Sequence, residues 1–137
     1  MTNASSEFLP GAVLFVSPIS QDQAELRRIM PPSQSAIRAA TCRQALERLG
    51  HIPVAVVLCD SDLPDGSWLD LFDSVASADD PPLLIVTSRM ADERLWAEVL
   101  NLGGFDVIAK PFAEKEVLHV LETARMHRAC RQPAAAV

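Results

Sequence analysis

The chain has 137 residues, of which nearly half are apolar and 22% charged; that is enough for one domain with a buried core and excludes a disordered chain. Its net charge of -6 offers no basic surface for nonspecific nucleic-acid binding or for an anionic membrane, and no apolar run reaches the ~18 residues that would span a bilayer. Three widely spaced cysteines without a CxxC pair exclude a disulfide scaffold and a cysteine zinc site, which fits a reduced, cytoplasmic protein.

Residues 1–10 lack the basic-then-apolar order of a signal peptide and read as a disordered N-terminus. The apolar run Gly11–Val16 predicts a buried strand, stopped by Ser17-Pro18. Ser20-Gln-Asp-Gln23 has the spacing of a capping box and predicts a helix ending before Pro31-Pro32. A weaker strand is expected within 34–40. Thr41-Cys-Arg-Gln44 is a second capping-box pattern, opening a helix that stops at Gly50. Val54–Asp60 is short, continuously apolar and β-branched until it ends in a carboxylate, the pattern of a central parallel strand. A Pro64-Asp65-Gly66 turn and a helix over 67–77 follow. Then come a strand at 83–87, a helix at 92–102 ended by Gly103-Gly104, and a strand at 105–109 closed by Lys110-Pro111-Phe112. The last helix runs from Glu114 to near 131, with Arg125, His127, Arg128 and Arg131 toward its end to complement the macrodipole. Residues 132–137 read as a tail or the start of a linker, so the expected folded domain is 11–131.

Strands alternating with helices five times predict an α/β fold, a doubly wound five-stranded parallel sheet of (βα)5 type. Asp60, Thr87 and Lys110 end three different strands, and such ends converge on one rim of an open α/β sheet. An acid, a hydroxyl and an ammonium in one place combine a nucleophilic carboxylate with two groups able to contact phosphoryl oxygens. As bland alternatives, Thr87 could cap a loop, Trp68 and Trp96 could pack on helix faces, and Cys59 could be a quiet strand thiol. An exposed Trp96 would favour an interface. His119 and His127 lack a third metal ligand, and no nucleophile and base pair supports a hydrolase, so the chain is not read as an enzyme.

Over residues 11 to about 130 the chain resembles the receiver domain of two-component response regulators. The resemblance lies in Cys59-Asp60-Ser-Asp-Leu-Pro64, Ile85-Val-Thr87-Ser88 and Gly104-Phe-Asp-Val-Ile-Ala-Lys110-Pro111-Phe112. It implies a flavodoxin-like fold with strand order 2-1-3-4-5, Asp60 as phosphoacceptor, Thr87 as the switch hydroxyl, Lys110 as the lysine contacting the phosphoryl group or carboxylate, and a cis Lys110-Pro111 peptide. The resemblance also implies a histidine kinase or phosphotransfer protein as donor, and the face of helix 92–102, the last strand and the last helix as the surface for a homodimer.

The departures matter as much. The acids that end the first strand in this family, and hold Mg²⁺, are here Ser17 and Pro18. Asp60 remains, with Asp62 as the only nearby substitute, so Mg²⁺ binding is expected to be weak. Val107 stands at the aromatic switch position, and bulky Trp68 replaces a usual glycine. Two readings follow: phosphoacceptance on Asp60, or a phosphorylation-independent interaction module in which Asp60 and Lys110 pair directly without metal.

Overall fold

A computed structural model describes residues 11–131; the expectations for 1–10 and 132–137, and for the Arg131 side chain, lie outside the described residues. The elements in order are β1 (Ala12–Val16), α1 (Ser20–Ile29), β2 (Ala36–Ala39), α2 (Cys42–Leu49), β3 (Val54–Asp60), β4 (Asp62–Leu63), β5 (Gly66–Ser67), α3 (Trp68–Val75), β6 (Leu83–Ser88), α4 (Glu93–Leu102), β7 (Asp106–Ala109) and α5 (Glu114–Arg131). The main sheet is parallel, in the order β2-β1-β3-β6-β7. Counting only its own strands, that is the expected 2-1-3-4-5. Lys110-Pro111 is cis.

Side chains alternate across the sheet, so each strand feeds two core layers. Val13, Phe15, Leu58, Ile85 and Ile108 face α1 and α5, while Leu14, Val16, Val57, Cys59, Val86 and Val107 face α2, α3 and α4. Burial on both faces is why these strands read as unbroken apolar runs. Each fully buried Val or Leu contributes about 1.5–3 kcal/mol relative to exposure.

The helix starts show which local signals survive folding. At α2, Thr41 accepts from the Gln44 backbone N–H at 3.1 Å, as the spacing predicts, but the Gln44 side chain accepts from the Ala40 N–H at 2.9 Å. At α3, Ser67 and Asp70 form a reciprocal capping box. The expected box at Ser20 is absent: Ile19 is the N-cap, without a side-chain bond. Gln23 instead donates to the carbonyls of Phe15, Ser17 and Ala39 at 3.0–3.2 Å, tying α1 to the ends of β1 and β2. Tertiary acceptors have taken the group that a local cap would use. At the end of α4, Gly103 is left-handed with φ 109°, and a Cβ there would lie 2.6 Å from the Phe72 ring.

Arg128 also has a tertiary role beyond the helix dipole. It is 5% exposed and donates to the Pro81 carbonyl at 3.1 Å and to Asp80 at 3.0 Å, pinning the loop before β6 to α5.

Residues 62–67 form a small hairpin not foreseen from the sequence, with Asp62 opposite Ser67 and Leu63 opposite Gly66. At its tip, Asp65 accepts from the N–H groups of Cys42 and Arg43 at 2.8 and 3.0 Å, closing the start of α2. These bonds, Cys42 first and then Arg43, hold the Asp65 carboxyl below its ordinary range. A depressed folded value means the contribution is present above the unfolded value and lost as pH falls through the folded one. Thermal melts should therefore show wild type losing its margin over Asp65→Ala below roughly pH 4; a margin unchanged by acid would remove Asp65 from this role.

Candidate functional site

Three strands deliver the site's residues to the carboxyl edge of the sheet. Asp60 is the last residue of β3, Thr87 lies beside it in register on β6, and Lys110 follows β7 directly. The Lys110 N–H donates to the Ser88 carbonyl at 2.9 Å, which fixes where its side chain starts. All three are buried, Asp60 at 5% exposed, Thr87 at 0% and Lys110 at 9%.

The carboxylate of Asp60 is held by donors from three directions. Thr87 Oγ1 donates to Oδ1 at 2.6 Å and Lys110 Nζ reaches the same oxygen at 2.8 Å. Ser17 Oγ donates to Oδ2 at 2.7 Å. Ser17 follows β1 and is anchored by its own N–H on the Ala39 carbonyl; its hydroxyl also accepts from the Ile19 N–H at 3.1 Å. Charge-assisted bonds to a buried carboxylate are the stronger class of hydrogen bond, so the group is firmly oriented.

A second carboxylate enters from an unexpected place. Asp22, in the first turn of α1, is 6% exposed, and its Oδ2 accepts from Lys110 Nζ at 2.6 Å. One ammonium thus joins two buried acids. Arg89, on the solvent side, is a distant second cation, 3.7 Å from Asp22 Oδ1 and 60% exposed. The sequence hint was available but pointed elsewhere, since Asp22 sits inside the Ser20–Gln23 pattern that reads as a local cap. Asp62, by contrast, lies on the exposed side of β4.

Val107, Trp68, Cys59 and His127 have packing roles. Val107 is buried against the α2–α4 side of the sheet, and Trp68, 4% exposed, lies with its ring 6.2 Å from Phe72. Burial pushes the Cys59 thiol up, and the neighbouring Asp60 charge adds to it. His127 tilts against Phe105 at 5.2 Å. Trp96 is 40% exposed and Leu100, one turn on along α4, is 46% exposed.

A family model described as response regulator receiver domain matches residues 21–122. The transcriptional regulatory protein DpiA of Escherichia coli is 25% identical over 112 residues, covering 82% of this chain and 50% of its own. The chemotaxis protein CheY of Thermotoga maritima is 26% identical over 83 residues, covering 61% of this chain and 69% of its own. The chain spans about half the length of DpiA. A solved receiver domain protein (CheY-like) from Methanospirillum hungatei has TM-score 0.78 at 18% identity, covering 88% of this chain and 97% of that one. The signal receiver domain of an HD domain-containing protein from Pseudomonas fluorescens has TM-score 0.77 at 22% identity, covering 87% and 97%. These structural likenesses concern the fold.

Mg²⁺ needs near-octahedral oxygen ligands, usually including one or two carboxylates. The two carboxylates here already share an ammonium, Ser17 points its hydroxyl as a donor to Asp60, and Pro18 has no side-chain ligand. Among the described residues no group of three or more His, Cys, Asp or Glu is placed to hold a metal. Both buried carboxylates of the site are thus already engaged with Lys110.

Proposed function

The chain belongs to the response regulator receiver family, the signalling modules of two-component systems, and on that premise we propose that Asp60 accepts a phosphoryl group from a phosphohistidine of a histidine kinase or phosphotransfer protein. The observation that carries this reading is the shared oxygen: Asp60 Oδ1 meets both Thr87 Oγ1 and Lys110 Nζ. A carboxylate oxygen of Asp60 forms the new O–P bond as the P–N bond to the donor imidazole breaks. The imidazole nitrogen keeps the bonding electron pair and takes a proton from solvent. Thr87 and Lys110 already lie beside the attacking group, so they can contact phosphoryl oxygens with little reorganisation. Catalysis here is positioning and charge stabilisation, as phosphoryl transfer generally requires.

Partner contact is assigned to the face made by α4, β7 and α5, with Trp96 and Leu100 one turn apart on α4 and partly exposed. A homodimer through this face is part of the proposal. Among the described residues no helix is long and apolar enough to cross a membrane.

The test is intact-protein mass after incubation with acetyl phosphate. Wild type should gain one phosphoryl group and Asp60→Asn none. A folded wild type that gains nothing from acetyl phosphate or from a phosphorylated histidine donor would instead make the chain a phosphorylation-independent interaction module. The direct Asp60–Lys110 contact is the feature that would favour that outcome.

A further inference from the structure

We propose that the Lys110 ammonium is the resident cation of this site, held in place by Asp22, and that it replaces the divalent metal rather than accompanying it. Lys110 Nζ lies 2.6 Å from Asp22 Oδ2 and 2.8 Å from Asp60 Oδ1, so the two acids converge on a single cation-sized position. That position is deep: the side chain of Lys110 is 4% exposed, and those of Asp22 and Asp60 are 8% and 7%. A buried carboxylate needs a cation or several donors, and here each acid has the same one.

The rest of the shell is consistent with that charge balance. An acid in place of Ser17 would add a third negative charge beside Asp60 and call for more than one positive charge. The serine instead donates a hydrogen bond to Asp60 Oδ2. Against two buried carboxylates stand one buried ammonium and the hydroxyl donors of Ser17 and Thr87 on Asp60, with the screened guanidinium of Arg89 only at the solvent edge. A divalent ion entering between Asp22 and Asp60 would have to displace Lys110 from both partners. Asp22 is therefore a positioning residue, acting on Asp60 through the lysine.

The consequence for phosphoryl acceptance rests on the function proposed above: uptake on Asp60 should be unaffected by EDTA. The cation assignment itself is tested without any phosphoryl donor. MgCl₂ and MnCl₂ are titrated calorimetrically into wild type, Lys110→Met and Asp22→Asn/Lys110→Met. Wild type should show no saturable binding up to roughly millimolar ion. Removing the ammonium should uncover the two-carboxylate position and tighten binding at least about tenfold, and the added Asp22→Asn should abolish the gain. Mn²⁺ spectra should broaden only for Lys110→Met.

Wild type binding either ion as tightly as Lys110→Met overturns the proposal, as does a folded Lys110→Met without gain. Should Lys110→Met fail to fold, the wild-type chain decides. Saturable Mg²⁺ binding, or phosphoryl uptake lost in EDTA, overturns the assignment, whereas absence of binding upholds it. A chain that binds no metal and takes no phosphoryl group would overturn the functional reading alone.

Discussion

Lys110→Met is expected to lower the free energy of unfolding by about 3–5 kcal/mol, the usual cost of leaving buried charge without its partner. The expectation follows from the bridge: one substitution strips both Asp22 and Asp60 of their buried cation. Arg89 at 3.7 Å and 60% exposed compensates little, because solvent screens it. Asp22→Asn should cost less, about 1–3 kcal/mol, since the lysine keeps Asp60. The triple variant Asp22→Asn/Asp60→Asn/Lys110→Met should recover most of the loss, having no buried charge left to strand. Urea unfolding of the three proteins reads the order directly. A Lys110→Met loss below about 1 kcal/mol, within the range of an exposed pair, would show that the bridge is not buried in solution.

Leu58→Ala is expected to destabilise the domain by about 3–5 kcal/mol, through lost transfer energy and the cavity left behind. Leu58 is 0% exposed on β3, the strand flanked by β1 and β6, with its side chain in the layer shared with α1 and α5. Neighbours on two strands and two helices hold the cavity open, so collapse recovers little. Domains of this kind are stable by only about 5–15 kcal/mol, so the loss removes a large share. Leu46→Ala on α2, where the leucine is 38% exposed, is the control and should cost under about 1 kcal/mol. Equal losses at the two positions in denaturant unfolding would contradict the two-layer core. The position also bears on function, because Leu58 lies two residues before Asp60 and helps fix the strand that presents it.

What the sequence by itself determined is the architecture and the three strand ends. Apolar runs buried on both faces leave a strong local signal, so β1, β3 and β6 are legible to within a residue, and Asp60, Thr87 and Lys110 follow from where those runs and the last strand stop. Of the capping-box patterns, the Thr41 half formed at α2 while Gln44 turned to the Ala40 N–H, and the one at Ser20 was misleading, because Gln23 found three backbone carbonyls at the ends of β1 and β2. The hairpin at 62–67 is too short to carry a periodic pattern.

Only the tertiary structure decided which charged groups share the site. Along the chain, Asp62 is the nearest acid to Asp60 and the natural candidate to join it. In the fold, Asp62 faces outward, while Asp22, distant in sequence, is carried to Lys110 by the way α1 packs across the end of β1. Ser17 likewise looks like a lost ligand in sequence and becomes a donor to Asp60 in space. Coulomb energy and hydrogen bonding depend on distance in three dimensions, and sequence separation carries almost none of that information for residues on different elements.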